Sequence, residues 1–247
     1  MPSRLFVLLL LLLAPRLAVA EQARIAVAAN FIAPAQVIAA RFERSHPHRL
    51  ELIAGSSARF YAQVRGGAPF DAFLSADRDK PARLVEEGFA VADSLGVYAL
   101  GRLVLWTAQT GVAIGSDALA ANTNHSIALA NPRLAPYGLA ASEVIGNLGL
   151  ADPLAGRLVM GENVSQAYQF VATGNAALGF VSLSQVGGNA GIERGSGWLV
   201  PAELHSPIRQ YAVLLDGENT AARDFLEFLH SPEARRIIAS FGYDLDG

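Results

Sequence analysis

The chain has 247 residues, with 19 basic and 22 acidic side chains, a formal net charge of -3 and no cysteine. The absence of cysteine excludes disulfides, thiolate metal sites and cysteine nucleophiles. The basic residues are dispersed rather than clustered, so the composition argues against a partner that is a nucleic acid or an anionic membrane surface.

The first residues predict export. One positive charge lies in Met1 to Arg4, an apolar run covers Leu5 to Ala14, and the small residues Ala18-Val19-Ala20 precede Glu21. This order is typical of a secretory signal peptide. The apolar run is shorter than the roughly 20 residues that a helix needs to cross a bilayer. We therefore predict that residues 1–20 are a signal peptide that is removed, leaving a soluble protein in the periplasm.

The remaining chain alternates short apolar strands with amphipathic helices, which favours βα units around mainly parallel sheets. The first three predicted units pair strands with helices as follows: Arg24 to Ala29 with Pro34 to Ser45, Leu50 to Ala54 with Ala58 to Val64, and Ala72 to Ser75 with Pro81 to Glu87. The β-rich run Gly96 to Thr107 exceeds the usual strand length and predicts one strand that crosses to a second lobe.

A second set of units and a return segment follow. The predicted strands are Ser126 to Ala130, Leu158 to Met160, Leu178 to Val181 and Gln210 to Leu215, and the predicted helices are Pro136 to Leu148, Ser165 to Thr173, Ala221 to His230 and Pro232 to Phe241. The glycine-rich stretch Gly187 to Gly197 predicts a flexible surface connection. We thus expect an α/β protein with one lobe from residues 21–99 and 210–247, a second from 100–209, and a ligand cleft between them.

Four strand-to-helix junctions carry small polar residues or bare backbone: Ala29-Asn30-Phe31, Gly55-Ser56-Ser57-Ala58, Pro136-Tyr137-Gly138 and Glu162-Asn163-Val164-Ser165. A helix start presents unpaired N–H groups and the positive end of the helix dipole, so it attracts an anion. Any one junction alone is better explained as a helix cap. All four, however, fall at the same end of parallel strands, where α/β sheets bind ligands, and together they favour an oxyanion pocket.

Four segments resemble the periplasmic molybdate-binding proteins of ABC importers: RIAVAANFIAPAQVIAARFE (24–43), GSSARFYAQVRGGAPFDAFLSAD (55–77), ANPRLAPYG (130–138) and GENVSQAYQFVATGNAALGFVSLSQ (161–185). The most specific piece is GAPFDAFLSAD. The resemblance implies the type II periplasmic binding architecture, with two α/β lobes joined by two crossing strands. It also implies molybdate or tungstate as ligand, no cofactor, a monomeric state, and permease subunits of the inner membrane as partners.

The resemblance further implies a set of neutral donors. By motif position, Asn30 and Ser57 are expected to contact the oxyanion through side chain and backbone, and Tyr137 and Val164 through backbone N–H. Ser182 stands where other members have a tyrosine whose hydroxyl reaches the anion, and serine is too short for that reach. Either Tyr137 supplies the missing aromatic wall or a donor is lost. Ser56 and Ser182 are additional candidates for contacts.

Three other functions compete with this hypothesis. The first is a binding protein for another oxyanion, such as sulfate, on the same fold. The second is an exported enzyme, but the chain has no G-x-S-x-G or S-x-x-K motif, and His46-Pro47-His48 is its only close histidine pair. We therefore predict that it is not an enzyme. The third, a sensor domain that reports the ligand without transport, stays open at this stage.

Overall fold

The computed structural model describes residues 20–121 and 125–245. The predicted signal peptide lies outside these ranges except for Ala20. Within them, no helix combines the length and the apolar character that crossing a membrane requires.

The chain starts with three βα units and a further strand. These elements are β1 (Gln22–Ala28), a 3-10 turn (Ala29–Phe31), α1 (Ile32–Ser45), β2 (Arg49–Gly55), α2 (Ser57–Arg65), β3 (Ala72–Ser75), α3 (Asp79–Glu86), a 3-10 turn (Ala92–Ser94) and β4 (Gly96–Gly101). β1 pairs in parallel with both β2 and β3. Ile25, Ala26 and Val27 of β1 are fully buried, as expected for a strand that helices cover on both faces.

The next elements form a second sheet. They are β5 (Leu103–Thr107), α4 (Asp117–Ala120), β6 (Ile127–Ala130), α5 (Pro136–Asn147), α6 (Ala151–Leu154), β7 (Leu158–Gly161), α7 (Val164–Ala172), β8 (Leu178–Ser182), α8 (Leu183–Val186), β9 (Gly187–Gly188), β10 (Gly191–Ile192) and β11 (Ser196–Leu199). β6 pairs in parallel with β7 and β8, while β5 pairs antiparallel with β8 and β11. The strand order of this sheet is β11-β5-β8-β6-β7.

The chain then returns to the first sheet through a 3-10 turn (Ala202–Leu204), β12 (Ile208–Leu214), α9 (Thr220–Phe228) and α10 (Pro232–Ser240). β12 lies between β3 and β4, and gives the order β2-β1-β3-β12-β4. Phe225 of α9 and Ile238 of α10 are fully buried in one apolar cluster with Ile25 and Phe42. The C-terminal helices therefore complete the core of the first lobe, which we define as this sheet and its helices. The second lobe is the β11-β5-β8-β6-β7 sheet with its helices.

The first crossing between the lobes differs from the prediction. The single strand predicted over Gly96 to Thr107 is interrupted at Arg102, so that β4 belongs to the first sheet and β5 to the second. Gly101, the last residue of β4, has no room for a side chain because a Cβ there would clash with the hydroxyl of Tyr137. The glycine marks a close approach at the crossing, which a composition-based strand assignment does not distinguish from an ordinary strand position.

The flexible connection predicted over Gly187 to Gly197 is wrong. β9 and β10 pair antiparallel within it, and β11 begins at Ser196 and pairs with β5. Gly188 is buried, and a Cβ at this position would clash with the carbonyl oxygen of Ser240. The glycines here permit close backbone packing rather than flexibility.

Candidate functional site

The four predicted junctions meet in the cleft between the lobes. They line a small cavity of about 10 Å³ whose wall is formed by Ala28, Ala29, Asn30, Gly55, Ser56, Ser57, Ala76, Ala135, Pro136, Tyr137, Asn163 and Val164. Pockets for drug-sized ligands occupy roughly 300 to 1,000 Å³, so this cavity is far too small for such a ligand. A larger depression of about 590 Å³ near His46 and Asp224 is open to the surface and lies on another part of the first lobe.

The lobes are closed over this cavity. On one side, the Ala58 N–H of the first lobe donates to the Leu134 carbonyl of the second at 3.2 Å. At the surface, the Arg59 guanidinium lies 2.7 Å from the Glu162 carboxylate. A third contact between the lobes is the hydrogen bond from the Ser165 hydroxyl to the Ala29 carbonyl, at 3.3 Å. The cavity wall is therefore assembled from both lobes.

Three helices begin at the wall. Ser57 and Val164 are the first residues of α2 and α7, and Tyr137 is the second residue of α5, after Pro136. The N–H groups of a first helical turn have no partner within the helix, and the helix dipole adds partial positive charge there. Proline suits a first helical position but has no N–H, so the first amide that α5 offers is that of Tyr137. Asn30 occupies the 3-10 turn ahead of α1, where its amide likewise lacks a partner within the turn.

The wall contains no charged side chain. The ion pair described above, Arg59 with Glu162, has both side chains substantially exposed. Among residues 20–121 and 125–245, no group of three or more histidine, aspartate and glutamate residues could hold a metal cation. The chemistry that this arrangement offers is therefore hydrogen-bond donation from neutral groups, which suits an anion.

Ser56 and Ser57 offer two adjacent hydroxyls. Ser56 is the N-cap residue of α2 but makes no capping hydrogen bond, and its buried Oγ has no partner. Ser57 Oγ accepts from the Ala76 N–H at 3.1 Å, which leaves its own proton free to donate. Asn163 contrasts with both, because its side chain accepts from the Gln166 N–H at 3.1 Å and thereby caps α7.

The side chain of Asn30 does not face the cavity as a free donor. Its Nδ2 donates to Gln210 Oε1 at 2.7 Å and to the Tyr243 hydroxyl at 3.0 Å. These two bonds use both amide hydrogens, so the Asn30 side chain has no hydrogen left for the donation that the sequence predicts from it. Gln210 and Tyr243 lie 180 and 213 residues further along the chain, and no motif in the sequence connects them to the site.

Tyr137 and Ser182 differ in whether they line the cavity. Tyr137 lines the cavity, and its buried hydroxyl lies against Gly101. Burial raises the pKa of this phenol well above its ordinary value, so it stays neutral. Ser182 is not part of the wall, since its Oγ pairs with Ser184 Oγ at 2.9 Å and with Gln185 Oε1 at 3.1 Å. Tyr137 is therefore part of the wall, whereas the Ser182 hydroxyl bonds within the second lobe.

Comparison with known proteins gives consistent matches over nearly the whole chain. The family model described as bacterial extracellular solute-binding protein matches residues 23–244. The molybdate-binding protein ModA of Azotobacter vinelandii is 45% identical over 229 residues, covering 92% of this chain and 91% of that protein. ModA of Rhodobacter capsulatus is 47% identical over 220 residues, covering 88% and 86%.

A solved structure agrees with these matches. The periplasmic molybdate-binding protein of Azotobacter vinelandii superimposes with a TM-score of 0.87 at 39% identity, covering 91% of this chain and 100% of that chain. The match confirms the two-lobed α/β fold class that the sequence predicts.

Proposed function

Because the chain belongs to the family of bacterial extracellular solute-binding proteins, we propose that it binds molybdate, and tungstate at the same site, in the cavity between its lobes. The observation that carries this proposal is the wall itself, where three helix starts and the 3-10 turn ahead of α1 meet from two lobes without any charged side chain. The identity of 45% and 47% to two molybdate-binding proteins supports molybdate as the particular anion.

The donors that we assign combine backbone and side chain. The backbone N–H groups of Asn30, Ser57, Tyr137 and Val164 surround the anion, and the Ser57 hydroxyl adds a further hydrogen bond. We add the Ser56 hydroxyl, because a buried and unpartnered Oγ in the wall is costly unless a ligand accepts from it. Hydrogen bonds to a charged acceptor are roughly twice as strong as neutral ones, so several together offset the desolvation of a dianion.

Such a site selects first by protonation state. With no carboxylate in its wall, it accepts a fully deprotonated dianion and offers no side-chain acceptor for the proton that phosphate retains near neutral pH. Molybdate and sulfate carry the same charge, so the separation of these two depends on size. The smaller sulfate leaves the fixed donors stretched, which weakens each hydrogen bond.

We further propose that the protein acts as the periplasmic component of an ABC importer. In this role it is exported, loses residues 1–20, stays monomeric and delivers its anion to permease subunits in the inner membrane. The solved relative that it resembles over 91% of the chain is itself periplasmic. The closed arrangement of the lobes over the cavity suits capture followed by release, with no chemical step.

Titration calorimetry of the purified protein tests the proposal directly. Molybdate and tungstate should bind at least about 100-fold more tightly than sulfate, a difference of about 2.7 kcal/mol, and phosphate should give no heat beyond dilution. Sulfate binding that equals or exceeds molybdate binding would refute the assignment. The Ser45→Ala variant provides a control, since Ser45 is an exposed serine at the end of α1.

A further inference from the structure

Buried and partly buried polar groups form a hydrogen-bond network around Asn30. Besides the two bonds from its Nδ2, its carbonyl oxygen accepts from the Tyr243 hydroxyl at 2.8 Å and from Ser184 Oγ at 2.9 Å. Tyr243 is the third residue after the end of α10 in the first lobe, and Ser184 lies in α8 of the second lobe. The hydroxyls of Tyr243 and Ser184 also lie 3.2 Å apart.

The second lobe contacts two successive carbonyls of this turn. Ser165 Oγ donates to the Ala29 carbonyl at 3.3 Å, and Ser184 Oγ donates to the Asn30 carbonyl at 2.9 Å. In a trans peptide group the C=O and the N–H point in opposite directions. Because the Ala29 carbonyl points toward the second lobe, the Asn30 N–H of the same peptide group points away from it. The hydrogen bond to the Asn30 carbonyl restricts rotation of the next peptide group.

We infer that Tyr243 and Ser184 are positioning residues of the anion site. They do not touch the ligand; they fix the Asn30 turn so that its backbone N–H stays aligned on the anion. Tyr243 acts from within the first lobe, while Ser184 acts on the turn from the second lobe. This inference rests on the proposed function, because it requires the Asn30 amide to be one of the donors.

Tyr98 provides a matched control for Tyr243. Both rings pack edge-on against Phe31, with centroid separations of 4.7 Å for Tyr98 and 5.3 Å for Tyr243. Both are almost fully buried, at 5% and 4% exposure. They differ in their hydroxyls, since the Tyr98 hydroxyl has no hydrogen-bond partner whereas that of Tyr243 donates to the Asn30 carbonyl and accepts from Asn30 Nδ2. Replacing each by phenylalanine therefore compares loss of a network with loss of an unpaired hydroxyl.

The experiment measures molybdate affinity, its dissociation rate by rapid displacement with excess tungstate, and urea unfolding of the ligand-free protein. Tyr243→Phe should raise the Kd about tenfold, the effect expected for one net hydrogen bond, and Ser184→Ala should raise it in the same direction. The increase should appear mainly in the dissociation rate, because changes in affinity among variants of one site lie mostly in that rate. Tyr98→Phe should leave both the Kd and the dissociation rate at the wild-type values.

The outcomes separate this inference from the proposed function. If the wild-type protein does not bind molybdate, the proposed function fails and the positioning role with it. If the wild type binds molybdate but Tyr243→Phe and Ser184→Ala both keep its Kd and dissociation rate, only the positioning role is refuted. A lower unfolding free energy with unchanged dissociation would likewise assign the network to stability alone. Ser184 is partly exposed, so Ser184→Ala decides the question if Tyr243→Phe does not fold.

Discussion

Replacing Ser56 and Ser57 one at a time should separate anion binding from protein stability. Ser57 Oγ accepts from the buried Ala76 N–H at 3.1 Å, so Ser57→Ala removes a ligand donor and also leaves that amide unpaired. Loss of a hydrogen bond to a charged acceptor costs about 1.5 to 3 kcal/mol, which raises the Kd for molybdate roughly 10- to 150-fold. The unpaired amide costs a further 1 to 3 kcal/mol or so in the unfolding free energy of the ligand-free protein.

Ser56→Ala should have the same effect on binding but a different one on stability. Because Ser56 Oγ is buried without a partner, its removal deletes an unsatisfied polar group from the ligand-free protein. The Kd should rise into the range given for Ser57→Ala, while the unfolding free energy stays constant or increases. Calorimetry gives the affinities, and urea unfolding without ligand gives the stabilities. The reasoning is refuted if Ser56→Ala keeps the wild-type Kd, or if it destabilises the protein as much as Ser57→Ala.

Two further predictions concern a main-chain donor and the buried phenols. Val164→Ala should leave molybdate affinity unchanged because it keeps the backbone N–H, whereas Val164→Pro removes that N–H and should raise the Kd about tenfold or more. Proline is tolerated at the first position of a helix, and Asn163 before it has the extended conformation that a residue preceding proline prefers. Equal affinities of the two variants in calorimetry would show that this amide does not bind the anion. Burial raises the pKa of Tyr98 and Tyr137 well above the ordinary value and that of Tyr243 to about 12. In the folded protein these phenols therefore stay protonated at pH values at which the tyrosines of the unfolded chain ionise. The unfolding free energy should therefore be intact below about pH 10 and fall as the pH rises toward 12, by about 1.4 kcal/mol per pH unit for each phenol. Urea unfolding between about pH 9 and 11 should show a correspondingly shallower decline for Tyr98→Phe, and an identical slope would contradict the assignment.

The amino-acid sequence by itself determined the secondary structure of the cavity wall and which strand-to-helix junctions contribute to it. The helix predicted over Ala58 to Val64 is α2 (Ser57–Arg65), and the strand predicted over Ala72 to Ser75 is β3. Both follow from local periodicity and from the residues that start and stop each element. The gathering of the four junctions was also predictable, because parallel strands place the helices that follow them at one end of a sheet.

Only the tertiary structure decided which polar groups remain free for a ligand. Ser56 and Asn163 both precede a helix, and both residue types are preferred at the N-cap position. Only Asn163 makes a capping hydrogen bond, to α7, whereas the Ser56 side chain makes none. The side chain of Asn30 is occupied by Gln210 and Tyr243, which the return of the chain to the first lobe brings beside it. Local sequence specifies where a donor is presented, whereas its partner depends on residues that folding brings close from far along the chain. The availability of each donor to an anion is thus a property of the closed, two-lobed fold.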